Sequence, residues 1–244
     1  MPDILSLEKN ELLQLSPEKV DQELSPKEIL HIFKKLDGFW GYDHSAAEHG
    51  KPGYHALLKS GNHSDGFLNS RSVLKYENIC RIMAKQLVKI WEKKDLPSPS
   101  KVAGIPTGAT SLGKNVAEIL GVESVGISKI VGYIKLMESL SSSDSLLLIE
   151  DFCTKGTGFQ EAINDILCFC PGANILPFEL VLINRGGLTT IETGYGKFHI
   201  ITPVEKKIND WDPEDCPLCN DYNSVPIKPK ETEENWVLLN NSQK

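Results

Sequence analysis

The sequence predicts an α/β fold, a mainly parallel sheet flanked by helices, and three observations carry that expectation. Short apolar runs of strand length recur at Val102-Ala103-Gly104-Ile105, Leu146-Leu147-Leu148-Ile149 and Leu180-Val181-Leu182-Ile183. Runs without polar alternation suit strands buried on both faces. The first two lead through a loop of small, hydroxyl-bearing residues into segments 112–120 and 159–167, whose apolar positions fit amphipathic helices. Strands alternating with helices imply a parallel sheet with right-handed crossovers.

Composition sets the bounds. A chain of 244 residues with 40% hydrophobic content can bury one good core, as one domain with extensions or two small ones. The expected organisation is a helical N-terminal extension (1–50), a core (51–210) and a C-terminal tail (211–244). A net charge of −7 argues against broad nucleic-acid or acidic-membrane binding, while a small anionic substrate needs only a local basic pocket. No apolar run approaches the ~20 residues of a membrane span, and the N-terminus has no signal-like core. The expectation is a cytoplasmic protein with no nucleic-acid or membrane partner. Six scattered cysteines are too few for a disulfide scaffold and suit a reducing compartment.

Taken in order, the elements follow from local signals. In 1–44, Ser16-Pro17-Glu18 and Ser25-Pro26-Lys27-Glu28 each place Ser at a helix N-cap and Pro at the first helical position. Ile29, Ile32, Phe33 and Leu36 form a stripe stopped by Gly38, as in a hood or dimer arm. Residues 54–71 carry two short strand-like pieces around a Ser-Gly-Asn-His-Ser-Asp-Gly turn, with His63 read as an exposed turn residue. Segment 79–91 is an amphipathic helix with Ile82, Met83, Leu87, Ile90 and Trp91 on its apolar face. A Lys-, Pro- and Ser-rich linker precedes the strand at 102–105. Residues 124–129 read as the next strand and 130–144 as a long segment suited to a mobile lid. Strands at 179–184 and 198–202 complete the core, and the Pro-, Lys- and Glu-rich tail reads as extended and partly disordered.

The chemistry-bearing stretch is 145–158. Its apolar run stops at Glu150 and Asp151, at the carboxyl end of a strand, where open α/β sheets bind ligands. Thr154-Lys155-Gly156-Thr157-Gly158 then opens a helix, whose N-terminus offers converging backbone N–H donors to a phosphate. Carboxylates repel phosphate, so the acids suit neutral hydroxyls nearby, as on a sugar phosphate. An ordinary strand-to-helix turn would also contain one acid and one Gly. The loop Pro106-Thr107-Gly108-Ala109-Thr110-Ser111 lets backbone N–H groups approach an anion closely. Arg185 ends the 179–184 strand, where a surface salt bridge competes with anion binding.

An apolar run, an acid pair and Thr-x-Gly-Thr resemble the phosphoribosyl-pyrophosphate (PRPP) motif of the type I phosphoribosyltransferases. Leu58-Lys59-Ser60-Gly61 with Ser64, followed by Phe67 and Asn69, is similar to the N-terminal signature of the orotate phosphoribosyltransferases, and Gly104-Ile105-Pro106-Thr107-Gly108 to one form of their pyrophosphate loop. The resemblance spans roughly 54–202, four segments in the family's order. It implies a type I phosphoribosyltransferase fold with a small N-terminal helical and hairpin hood, and a homodimer whose subunits close lids over each other's sites. It further implies transfer from PRPP, with Mg²⁺ on it, to orotate. Glu150, Asp151, Thr154, Lys155, Gly156, Thr157 and Gly158 would then bind PRPP with Thr107, Gly108 and Ala109. Lys59, Phe67 and Arg185 would bind the base, and Lys129, Asp151 and Glu150 would carry the catalytic roles. The family lid bears Arg-Lys-x-x-Lys-x-His-Gly. Here Lys129 matches the first Lys, but Ser128 replaces the Arg, Gly132 falls at the second Lys and the His-Gly is missing. That departure touches turnover more than binding. It keeps two other readings open, a phosphoribosyltransferase for another base and a non-catalytic PRPP or nucleotide sensor.

Cys216-Pro217-Leu218-Cys219 supplies half a zinc site, and no second close pair of ligands follows it. Cys168 and Cys170 could complete four ligands in space but sit on an apolar helix end and are expected to pack. Zinc at Cys216/Cys219 is therefore a disfavoured expectation.

Overall fold

The computed structural model describes residues 2–244. The chain packs into two compact units, each made of segments distant in sequence. One comprises the residues up to Lys35 and Ser70–Lys207; the other comprises Leu36–Asn69 and Ile208–Lys244. The predicted 51–210 core thus contributes residues to both.

The first unit is built on a seven-stranded sheet. From one edge its order is Thr190–Thr193, Gly196–Ile201, Ile175–Asn184, Leu146–Cys153, Lys101–Gly104 and Glu123–Ser124, with Val204–Glu205 also pairing Ile175–Asn184. Every ladder is parallel except Thr190–Thr193 against Gly196–Ile201. The sequence pattern explains the centre: Leu146–Ile149 and Leu180–Ile183 are fully buried, as runs covered on both faces must be. Helix Glu77–Lys93 buries Ile79, Ile82, Met83, Leu87 and Trp91, and the Trp91 ring meets Phe178 edge-on at 5.4 Å. Helix Pro26–Lys35 starts as its Ser-Pro signal predicts. Ser25 and Glu28 form reciprocal caps, with the Glu28 backbone N–H donating to Ser25 Oγ (3.3 Å) and the Ser25 N–H to Glu28 Oε2 (2.8 Å). Its Phe33 packs on Phe152 at 5.9 Å.

In this unit two neighbouring elements differ from expectation. The predicted strand at 124–129 is split. Glu123–Ser124 closes the sheet edge, whereas Ile127–Ile130 leaves it to pair antiparallel with Tyr133–Leu136. Val131 and Gly132 turn this hairpin with φ of 49° and 88°, the left-handed pair that a two-residue turn requires. Part of the expected lid is therefore an ordered hairpin. Its Ile134 N–H donates to Asp165 Oδ2 (2.6 Å) on helix Thr157–Phe169.

The second unit holds a four-stranded sheet in the order Asp210–Trp211, His63–Ser64, Tyr54–Leu57 and Val225–Ile227, plus the ladder Phe39–Gly41 with Gly66–Leu68. The hairpin expected in 54–71 is present, with Ala56 opposite Ser64 and Leu57 opposite His63. The tail is not extended. Val225–Ile227 adds a parallel strand to Tyr54–Leu57, and helix Glu233–Asn241 buries Trp236 and Leu239 on Trp40, Ala56 and Leu218. A few large apolar residues anchor it despite its charged composition. Among the described residues no helix is long and apolar enough to cross a membrane.

Candidate active site

Strand order locates the site in the first unit. From Lys101–Gly104 the chain passes through helix Thr110–Leu120 to the neighbour on one side, Glu123–Ser124, then returns on the other side as Leu146–Cys153. Ligands of open α/β sheets bind beyond the carboxyl ends of the strands at such a reversal. The loops there are 105–109 and 154–156, which hold the two motifs singled out by sequence.

The loops touch. A Cβ on Gly108 would overlap the Asp151 carboxylate, so a side chain there would have to displace that acid. A Cβ on Gly158 would lie 2.6 Å from Glu150 Oε1. Gly156 caps helix Thr157–Phe169 with φ of 70°, a left-handed conformation suited to glycine. Cys153 O accepts from the backbone N–H groups of Arg185 (2.8 Å) and Gly186 (3.2 Å), which fixes the end of the 175–184 strand beside the 154–156 loop. Thr154, Gly158 and Gly108 are half-buried, Lys155, Thr157 and Thr107 exposed, and Gly156 and Ala109 buried.

The acids are electrostatically unequal. Glu150 is 9% exposed, and burial, reinforced by the carboxyl of Glu179 and then by Asp151, pushes it up to about 11. Asp151 is more open. Burial raises it too, against the Ser70 hydroxyl, backbone N–H groups and the positive charge of Arg71. Glu179, fully buried in mid-strand, is raised by burial. Glu150, Glu179 and Cys153 bring three donor atoms within 4.8 Å. Burial drives all three groups toward their protonated forms, which suits a proton-sharing cluster better than a metal site.

The other predicted residues are more scattered. Arg185 stands half-buried at the carboxyl end of its strand. Lys129 lies on the hairpin strand Ile127–Ile130, with its ammonium 3.2 Å from Glu161. Lys59 and Phe67 belong to the second unit. There they line a cavity of about 770 Å³ with Leu57, Lys228, Lys230 and Glu231, and the Phe67 ring sits 6.1 Å from that of Trp236.

No family model matches the chain. It is similar to curated orotate phosphoribosyltransferases. It is 26% identical over 175 residues to that of Caldicellulosiruptor saccharolyticus, covering 71% of this chain and 85% of the relative. With that of Thermoanaerobacter sp. the identity is 24% over 206 residues, covering 84% and 96%. The Wolinella succinogenes enzyme is 28% identical over 186 residues, covering 72% and 88%. Among solved structures, the orotate phosphoribosyltransferase of Aeropyrum pernix superposes with a TM-score of 0.52 at 18% identity, over 72% of this chain and 93% of that one. The UMP synthase of Leishmania donovani gives 0.51 at 17%, over 80% of this chain and 40% of that one. The chain has the type I phosphoribosyltransferase fold.

Within this phosphoribosyltransferase fold the structure brings further residues to the acid pair. Ser70 and Arg71 open a short helix, Ser70–Leu74; Ser70 hydrogen-bonds Asp151, and the Arg71 guanidinium donates to the Thr107 hydroxyl. The available signal was Asn69-Ser70-Arg71, a polar cluster placed directly after the hairpin. Glu179 was legible as an acid inside an apolar strand, a position that demands a partner. His63 needs correction. It is 6% exposed, not a solvated turn residue, because its strand pairs with both Tyr54–Leu57 and Asp210–Trp211. The halves missing around Cys216 and Cys219 are His55 and His63, whose donor atoms lie with both sulfurs within 4.8 Å.

Proposed function

We propose that the protein transfers the phosphoribosyl group of PRPP to orotate, giving orotidine 5′-monophosphate and pyrophosphate. One observation carries the reading: the acid pair, the phosphate loop and the Pro-Thr-Gly loop meet at the sheet's reversal point, in a chain similar to orotate phosphoribosyltransferases.

The reaction breaks the C1–oxygen bond to pyrophosphate and forms a C1–nitrogen bond to the base, through a cationic, oxocarbenium-like sugar. Positioning and stabilisation of the leaving group supply the catalysis. Backbone N–H groups of the loop at Thr154, Lys155, Gly156, Thr157 and Gly158 hold the 5′-phosphate. Asp151, the more open acid, accepts from the ribose hydroxyls, and Glu150 supports it from the buried side. Held largely protonated, Glu150 lets a multiply charged substrate approach with less repulsion than two ionised carboxylates would exert. Thr107, Gly108 and Ala109 line the pyrophosphate path, and Arg71 adds a positive charge at Thr107. Mg²⁺ arrives with PRPP as part of the substrate. Asp151 would offer it an oxygen donor. Arg185 receives the orotate carboxylate in the bidentate geometry that guanidinium favours. Lys129 serves the pyrophosphate after leaving Glu161. The exposed Val131 and Tyr133 of the hairpin support a homodimer.

The test is pyrophosphate release from PRPP with orotate, uracil or adenine in turn. Release with orotate alone supports the reading, and release with another base moves the assignment to that base. Calorimetric binding of PRPP without any release favours a sensor built on this fold. That second reading is favoured by one observation, the pairing of Lys129 with Glu161 in a hairpin that lacks the family's lid residues.

A further inference from the structure

We propose that His55, His63, Cys216 and Cys219 bind one zinc ion, a closed structural site that ties the two segments of the second unit together. The geometry points to a tetrahedral ion. With Zn–S near 2.3 Å and Zn–N near 2.05 Å, the edges of a tetrahedron come to about 3.4 Å for N···N and about 3.6 Å for S···N. The observed edges are 3.0 Å between His55 Nε2 and His63 Nδ1, 3.7 Å from His55 Nε2 to each sulfur, and 3.4 Å from His63 Nδ1 to Cys219 Sγ. A two-sulfur, two-imidazole set in this arrangement selects zinc over magnesium or calcium, which take oxygen.

The surroundings prepare the donors. Ser224 Oγ donates to Gly53 O (3.0 Å) and so accepts from His55 Nδ1–H (2.9 Å). That fixes the His55 tautomer with its Nε2 lone pair facing the other three donors, the outer-shell arrangement of a metal-bound histidine. His55 and Cys216 are fully buried, His63 nearly so, and both cysteines are free thiols. All four coordination positions come from protein, which makes the site structural and leaves none for substrate.

The topology gives the ion its role. His55 and His63 sit on adjacent strands of the hairpin, and Cys219, the second cysteine of the Cys-x-x-Cys segment, lies 156 residues beyond His63. Zinc would close that long loop, and its binding energy would contribute directly to folding of the unit.

The test uses full-length protein purified from zinc-supplemented medium, and it is independent of any transferase activity. Elemental analysis should find about one zinc per chain. Replacement by Co²⁺ should give tetrahedral ligand-field bands with a thiolate charge-transfer band. Ser224→Ala, which leaves the ligands in place, should weaken zinc binding roughly 10–100-fold. Chelation should alter tryptophan fluorescence, since Trp40, Trp211 and Trp236 lie in the second unit. Cys216→Ser with Cys219→Ser should lose the metal; if that variant fails to fold, stoichiometry and the cobalt spectrum of the unmodified protein decide. A metal-free reduced protein with no cobalt spectrum, a Cys216–Cys219 disulfide in the purified chain, iron in place of zinc, or full zinc content in a folded double-serine variant would each overturn the proposal.

Discussion

At the residue scale, Gly108 and Asp151 function as one feature because a side chain at one would displace the carboxylate of the other. Gly108→Ala should lower kcat/KM for PRPP by about 10²-fold, the scale of a misplacement near 1 Å, while the fold persists by circular dichroism. Glu179 gives a pH test with a defined sign. Burial and Glu179 hold Glu150 protonated up to about 11 in the folded state, so the native chain binds more protons than the unfolded one between the ordinary carboxylate range and that value. Stability from this cluster therefore falls as pH rises across that window. Glu179→Gln should flatten the dependence, raising Tm relative to the parent protein at pH 9 more than at pH 5 in parallel thermal melts. A Tm difference that does not change with pH would contradict the assignment. Much of this scale was legible, since Glu150, Asp151, Gly108 and the phosphate loop carry their signals locally. Ser70 and Arg71 did not, because what they do depends on a partner supplied by the fold; Glu179 shows in the sequence as an acid in an apolar strand, but its partner Glu150 is supplied by the fold.

At the scale of elements, the hairpin Ile127–Ile130 with Tyr133–Leu136 sets the position of Lys129. Its ion pair with Glu161 is half-exposed, so Glu161→Gln should change stability by no more than about 1 kcal/mol in a denaturant titration. A change in kcat in the same variant would then report the release of Lys129, and Lys129→Ala should lower kcat without weakening PRPP binding. Helix and central-strand positions were readable because periodicity and capping act within a few residues, as Ser25 and Glu28 show. The hairpin was not. Its apolar and polar residues read equally well as one strand and a loop, and the two left-handed residues at Val131 and Gly132 decide otherwise. His63 failed for a related reason, since its turn-like neighbours hide a strand that is paired on both sides.

For the whole molecule, the decisive fact is that both compact units are assembled from segments far apart in sequence. Deleting 208–244 should therefore do more than trim a tail. It removes two strands and the Trp236 helix from the second unit, and the truncated chain should lose cooperative unfolding in a calorimetric scan. The parallel core was legible as fold class because the apolar runs and loop motifs recur in order. The second unit was not, because the residues that complete it, including His55 and His63 opposite Cys216 and Cys219, meet only in space. In the proposed function, the loops at the reversal point form a PRPP site that serves orotate. Its most direct measurement is the loss of orotate absorbance on mixing purified protein with PRPP, Mg²⁺ and orotate, beside Asp151→Asn as control. Turnover that the control reduces at least about 10²-fold is the expected result. Absence of orotate loss in a protein that binds PRPP, or equal turnover in the control, would contradict it.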